Sequence, residues 1–421
     1  MKHKIFFLTD NFPPERNASA SRVYERGLYW LKEGHELTVL TSFPNFPEGK
    51  VFEGYTNNWF AKEDLGGIET CRIKTYISAN KGFALRILDF LSYMVTSFVA
   101  GLFLIKKDHT VVVSTSPQFF AAVSAWALAK IKCKPYIFEL GDLWPESIQA
   151  LGSMKKSLVL SMLEKLELFL YRQSDAVIAL TESFKENLVK RGIDPKKIHV
   201  VRNGVDLSLH GDQEQVKLAA QKLRAELELQ DKFVIGYIGT FGMAHDLGRV
   251  LDTAKILKSQ GNDKIKILLL GAGANKEALR ERVRSESLDN VLILDAVPKT
   301  EVGKYWATLD VALVHLKNLP TFAGVIPSKM FEAMAYGKPV LLVAPSGEAT
   351  GILEEAGAGV CLVDYSLQNF AGELLRLSEN LDRIKSLAEK SKLGARKYTR
   401  ERQATEFIAV IDKLANKTNS K

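Results

Sequence analysis

Lys329 and Glu332 stand three residues apart in Pro327-Ser328-Lys329-Met330-Phe331-Glu332, where a loop gives way to a helix pattern. Residues at that spacing share one helix face, so an ammonium and a carboxylate would project together from the first turn. The pair suits a nucleotide diphosphate and its ribose. The lysine would meet phosphate oxygens and the carboxylate two vicinal hydroxyls, each charge-assisted bond being worth about 1.5–3 kcal/mol. An ordinary capped helix with a surface ion pair has the same spacing. A second turn, Gly239-Thr240-Phe241-Gly242-Met243-Ala244-His245-Asp246, carries two glycines that let backbone N–H groups approach a phosphate closely. Three carboxylates, Glu139, Asp142 and Glu146, crowd one strand end and its loop beside Trp144. Sugar hydroxyls or a transferred proton would be handled there, solvated loop charge being the plain alternative. The loop Asn11 to Ser19 has no glycine, and its prolines and bulky residues leave little room for a pyrophosphate. Arg16 and Ser19 therefore point to a different ligand, or to a stiff solvent loop.

These residues need strands behind them and helices beside them. Val311-Ala312-Leu313-Val314-His315 reads as a buried parallel strand before the lysine loop, and Val340-Leu341-Leu342-Val343 as the strand after its helix. Pro327 and Ser328 mark that helix's start, Gly337 its stop, and Pro339 bars continuation. In open α/β sheets ligands gather outside the carboxyl ends of strands, at helix starts. The first half opens with a βαβ unit: strand Ile5 to Leu8, a helix from Ser19 to Lys32 closed by Gly34, then strand Leu37 to Leu40. Strands follow at 111–113, 135–139, 176–180 and 198–201, and in the second half at 233–238, 265–270 and 291–294. The pro-, gly- and aromatic-rich segment from Phe43 to Asn80 reads as an active-site or lid excursion. Gly271-Ala272-Gly273 is a lone G-x-G with Lys276 at the third glycine position, so a tight turn accounts for it better than a dinucleotide fingerprint. Asn203-Gly204-Val205-Asp206 marks a boundary between two halves.

At 421 residues the chain suits two domains of near-equal size. Of its net charge of +8, +6 falls within residues 1–205, which hold 27 Lys and Arg against 21 Asp and Glu. No Lys/Arg run exceeds two residues and no zinc-finger or stacking motif accompanies the charge, which disfavours nucleic acid against a membrane or a phosphorylated substrate. Three scattered cysteines fit a reducing cytoplasm rather than a disulfide framework. Phe83 to Ile105 is the most apolar helix pattern. Its uncharged part from Phe90 falls short of a bilayer's ~30 Å core, leaving a helix buried on the sheet or an exposed face dipping into a membrane, with Arg86, Lys106 and Lys107 at the headgroups. No His-x-x-x-His pair, Cys cluster or Asp-x-Asp triplet supplies a metal site, and no phosphate loop or nucleophile elbow occurs.

Together these features resemble glycosyltransferases of family 4, most of all the bacterial branch that builds O-antigen, capsule and exopolysaccharide, including fucosamine and colanic-acid transferases. The likeness runs through Asn11-Phe12-Pro13-Pro14-Glu15, Glu139 to Ser147, Asn203-Gly204-Val205-Asp206, Gly239 to His245, and Pro327-Ser328-Lys329 through Glu332. It implies the α/β GT-B fold: two facing Rossmann-like domains with parallel sheets and an interdomain cleft. Residues 1–205 would bind the acceptor, 206–230 connect, 231–398 bind the nucleotide sugar, and the helix of 399–421 cross back to the first domain. A UDP-sugar donor is implied, held by Gly239, Thr240, Gly242, Met243, His245, Gly324, Val325, Ile326, Pro327, Ser328, Lys329 and Glu332. Asp142, Glu139, Lys329 and Glu332 would be catalytic, and Arg16, Asn17, Ser19 and Glu146 would meet the acceptor, a polyprenyl-diphosphate-linked saccharide. Transfer would retain anomeric configuration without a metal or other cofactor, at the inner face of the cytoplasmic membrane. Three positions depart from the wider family. Gly324 stands where a second glutamate is usual, Met243 and His245 where an arginine and a lysine are usual, and Gly141 where a histidine touches the donor sugar. A sugar-nucleotide 2-epimerase of the same fold and a catalytically silent membrane scaffold are the rival readings.

Overall fold

A computed structural model describes residues 1–15, 17–77, 83–116, 118–143, 146, 158–210 and 213–419. It divides into two compact units, one of Met1–Asn203 with Arg400–Lys421 and the other of Gly204–Thr399.

The first unit is built on eight strands: β1 (Lys4–Leu8), β2 (Glu36–Ser42), β3 (Phe60–Leu65), β4 (Ile68–Ile73), β5 (Val111–Thr115), β6 (Tyr136–Leu140), β7 (Ala176–Ala179) and β8 (Ile198–Val200). They lie in the order β3-β4-β2-β1-β5-β6-β7-β8. All neighbours are parallel except the edge pair β3 and β4. The central strands are buried and mostly apolar because helices cover both faces. The stretch expected as a lid, Phe43 to Asn80, instead contributes this edge hairpin. Gly66 and Gly67, with φ of 67° and 91°, turn the chain between two strands, and β4 pairs with β2. The Gly-Gly dipeptide between strand-forming runs is the signal that reading missed. Residues 78–80 lie outside the described residues.

The last helix, Arg400–Asn419, belongs to the first unit's core. Trp30 Nε1 donates to the Ala404 carbonyl at 3.1 Å and its ring meets Phe407 at 5.2 Å. The helix Phe83–Leu104 is two-faced. Tyr93 bonds the Leu40 carbonyl at 2.7 Å, Ser97 bonds Ser124 at 2.9 Å, and Gly101 lets Leu128 of the helix Phe119–Ile131 approach. On the other side Leu88, Val95, Val99 and Phe103 form an exposed stripe. Ile87–Leu104 is long and apolar enough to cross a bilayer, but Tyr93, Ser97 and Gly101 are committed to the sheet and to the neighbouring helix.

The second unit has six parallel strands: β9 (Phe233–Ile238), β10 (Ile265–Gly271), β11 (Val291–Asp295), β12 (Val311–His315), β13 (Val340–Val343) and β14 (Gly359–Leu362). Their order is β11-β10-β9-β12-β13-β14. The sequence direction reverses between β9 and β12, which pair directly, so the loops leaving these two strands flank a switch point of the kind where α/β sheets bind ligands. Residues 206–230 include the helix Gln213–Glu226, whose Arg224 bonds the Thr308 carbonyl at 3.0 Å and pairs with Asp310 at 2.6 Å. That segment is packed on the second unit.

Candidate functional site

At the switch point of the second sheet, the loop after β9 and the helix after β12 meet through one lysine. Lys329, in the first turn of the helix Ser328–Ala335, lays its ammonium 3.7 Å from the centre of the Tyr237 ring and bonds the phenol oxygen. Tyr237 donates in turn to the Thr240 carbonyl at 2.7 Å, which fixes the turn leaving β9. Gly239 adopts φ 146°, and a side chain there would begin 2.8 Å from the lysine nitrogen. Only glycine serves that position. Burial pulls the Lys329 ammonium down to about 7, with the Glu332 carboxylate acting against it. Glu332 also faces Tyr336, whose phenol is pushed up to about 12 by burial and then by that carboxylate.

The helix Ser328–Ala335 starts at Pro327 without a side-chain cap; Met330 N–H donates to the Pro327 carbonyl at 3.0 Å, and the amides at such a helix start suit an anion. The loop before it is a short turn, Pro320–Gly324, continued by half-buried Val325 and Ile326. Gly347, at the start of the helix Glu348–Ala356, has no side chain and abuts the Ala323 backbone, backing the turn that ends at Gly324. A side chain at Gly242 would begin at ordinary contact distance, 3.9 Å from His245 Cδ2 and from Thr240 Cγ2. Met243 is exposed. His245 lies 5.5 Å ring to ring from Tyr237 and bonds the backbone of His315 at the end of β12. Gly271 and Gly273 pack against the backbone of Gly239 and Phe241, and Phe241 N–H donates to the Ala272 carbonyl at 2.8 Å. The G-x-G is thus a packing device that supports the first turn.

The carboxylates of the first unit are arranged otherwise. Glu139 is fully buried at the end of β6 and receives both terminal nitrogens of Arg26, at 2.6 and 3.1 Å, with Arg22 Nε at 3.4 Å. Despite its burial the two guanidiniums hold the carboxyl down to about 2. Arg26 is itself stacked on Trp30 and Phe407, 4.8 and 4.3 Å from their ring centres. Glu139, expected as a catalytic carboxylate, is instead a sealed structural ion pair, because two arginines of the first helix reach it. Asp142 stays near the strand end, its backbone N–H held by Ser116 Oγ at 3.2 Å. The site where a side chain at Gly141 would begin lies 2.9 Å from Arg22 Nη2 and 2.8 Å from the Ser116 carbonyl. No histidine fits there. Glu146 turns toward Asn187, at 3.4 Å.

Asn17, expected to touch the acceptor, caps the helix Ala18–Lys32 by accepting from Ala20 N–H at 2.8 Å. Ser19 is half-buried in that helix's first turn. Arg16 lies outside the described residues, as do Trp144, Pro145 and Ser147. The sequence reading missed Tyr237, Arg22 and Arg26. A tyrosine inside an otherwise apolar strand, and two arginines spaced four apart on an apolar helix face, were the signals available, since buried polar groups need partners.

Residues 19–209 match the family model described as Glycosyltransferase Family 4, and residues 219–394 match that described as Glycosyl transferases group 1. The chain is 23% identical, over 87% of its length and 89% of the relative's, to the colanic acid biosynthesis glycosyl transferase WcaI of Escherichia coli K12. Among solved structures it resembles sucrose-phosphate synthase from Thermosynechococcus elongatus, with TM-score 0.72, 15% identity, and 98% and 99% of the two chains covered. It also resembles Anabaena HepE solved in complex with UDP-glucose, with TM-score 0.67, 15% identity and 99% of each chain covered. These likenesses give the GT-B fold.

Proposed function

The chain belongs to glycosyltransferase family 4, and on that premise we propose that it transfers a sugar from a UDP-sugar, with retention of configuration and without a metal, to a lipid-linked saccharide in bacterial surface polysaccharide synthesis. One observation carries the donor half of this reading: Lys329, the helix start without a side-chain cap and the glycine turn Gly239–Gly242 lie together at the switch point of the second sheet. Lys329 and the amides would stabilise charge on the departing diphosphate, while Glu332 would take the ribose hydroxyls. HepE, solved with UDP-glucose, supports the choice of nucleotide. The colanic acid transferase supports polysaccharide synthesis as the setting.

The test is a calorimetric screen of UDP-, GDP- and dTDP-sugars against wild type, Lys329→Ala and Glu332→Gln. Tight UDP-sugar binding that both variants weaken upholds the reading; binding indifferent to both sinks it. The anomer of the product, read by NMR, decides retention, and activity surviving chelation decides the metal.

The lipid-linked acceptor suggests a place at the inner membrane face. The outward stripe of Leu88, Val95, Val99 and Phe103 lies on one helix, and exposed Leu158 and Met162 lie on the helix Leu158–Gln173. Exposed Lys106 and Lys107 follow the stripe as headgroup partners. Flotation with anionic liposomes should carry the protein upward at low salt, and Val95→Glu with Phe103→Glu should leave it at the bottom.

A further inference from the structure

Two histidines of the second unit are tied in a reciprocal arrangement that fixes which nitrogen of each carries the proton. His245 Nδ1 lies 3.2 Å from the His315 carbonyl, and His315 Nδ1 lies 2.9 Å from the His245 carbonyl. A carbonyl oxygen only accepts, so each Nδ1 must be the N–H, and in the neutral ring Nε2 is then a bare lone pair. Lys317 N–H donates to the Ala244 carbonyl at 2.8 Å and adds a third tie between the turn Met243–His245 and the exit of β12. Burial opposes a second proton on either ring, and outweighs the reciprocal carbonyl bonds that favour one. His315 is fully buried with Nε2 unpartnered. His245 is flanked by the Lys329 ammonium, the Tyr237 ring and His315. Burial and then that ammonium hold the His245 imidazolium value down to about 3.

We propose that His245 is a neutral hydrogen-bond acceptor for the transferred sugar, its Nε2 receiving a hydroxyl or amide N–H of the donor's glycosyl group. This rests on the donor reading above. Cδ2, the ring atom beside Nε2, is 3.9 Å from where a Gly242 side chain would begin, and the ring leans on the tyrosine that carries Lys329. The free edge of the imidazole thus borders the patch where the diphosphate would lie. A lone pair repels phosphate oxygens, so the group facing it must be an O–H or N–H. Within a nucleotide sugar, Glu332 would claim the ribose diol, which leaves the sugar. Where the wider family has a lysine, this chain would exchange a phosphate cation for a sugar-reading acceptor, leaving Lys329 as the ammonium for the leaving group.

The test has two arms. In the first, 15N-resolved histidine NMR of the whole protein, assigned with His245→Asn, should show the neutral Nδ1–H form from pH 6 to 8. A protonated or Nε2–H ring at pH 7 overturns the proposal whatever the donor is. In the second, calorimetry compares UDP, UDP-glucose and UDP-N-acetylglucosamine. Asparagine can keep an N–H near the Nδ1 position but loses the Nε2 acceptor. His245→Asn should therefore melt like wild type and bind UDP within about twofold, while losing about tenfold in affinity for whichever UDP-sugar wild type binds more tightly than UDP. His245→Gln should show the converse: a lowered melting temperature with sugar preference kept. Equal UDP-sugar binding by wild type and His245→Asn, or a wild type that prefers neither sugar to UDP, overturns it. Failure of wild type to bind UDP at all counts against the UDP reading, and the NMR arm still judges the histidine.

Discussion

Both sheets hold a charge near the carboxyl ends of central strands, and they treat it in opposite ways. Glu139 of the first unit is met by two guanidiniums, one of them bidentate, and its carboxyl stays ionised down to about pH 2. Lys329 of the second unit rests on a phenol, and Glu332 does not offset its burial, so its ammonium loses its proton near pH 7. A buried charge saturated by partners is part of the scaffold. One held short of its solution charge by burial gains from an arriving anion. The contrast separates the carboxylate from the ammonium by their partners, which position along the strand does not reveal.

The strongest way to break this contrast is Arg26→Ala. It should strand Glu139 without its main partner and cost about 3–5 kcal/mol, lowering the melting temperature of the first unit by about 10 °C. A fall of only a degree or two would show the pair to be dispensable. Lys329→Ala should do the reverse, leaving the melting temperature unchanged or raised while weakening UDP about 10- to 100-fold in calorimetry. Acidity sharpens the comparison. The folded value of Lys329, about 7, lies below the ordinary 10.5, so unfolding takes up a proton between these values and the second unit should gain stability as pH climbs through that window. The folded value of Glu139, about 2, lies below the ordinary 4.5, so the first unit should lose stability as pH falls from 4.5 toward 2. An anion restoring the ammonium must bring in a proton: UDP affinity should drop about fivefold from pH 7 to 8, with buffer-dependent binding enthalpy that Lys329→Ala abolishes. The smallest expected effect is that of Asn17→Ala, a loss of about 1 kcal/mol of cap stability with acceptor turnover unchanged. A turnover defect at full stability would return Asn17 to the acceptor site.

Much of the architecture was legible because it is local. The apolar runs of β9, β12 and β13 and the Pro-Ser start and Gly stop of the lysine helix are readable within a dozen residues. The weakness of the lone G-x-G was legible too, since the missing third glycine shows in the sequence itself. What escaped depends on partners far along the chain. Glu139 and Arg26 are 113 residues apart, Lys329 and Tyr237 are 92, and the histidine pair is 70. Spacing shows that a carboxylate ends a strand; it does not show whether a guanidinium already occupies it. The edge hairpin was missed for a different reason, because the charged, alternating run before Gly66-Gly67 carries little of the apolar signal that marks central strands.

The seating of Phe407 on Trp30 and Arg26 bears on how the molecule is made. Its first sheet cannot close its hydrophobic face until residues beyond 400 have been synthesised, after the whole second unit. At 5–20 residues per second, the roughly 200 intervening residues take about 10–40 s to translate. Throughout that interval Trp30, Arg26 and the apolar residues clustered with them lack the cover that Phe407 and its helix provide in the finished fold.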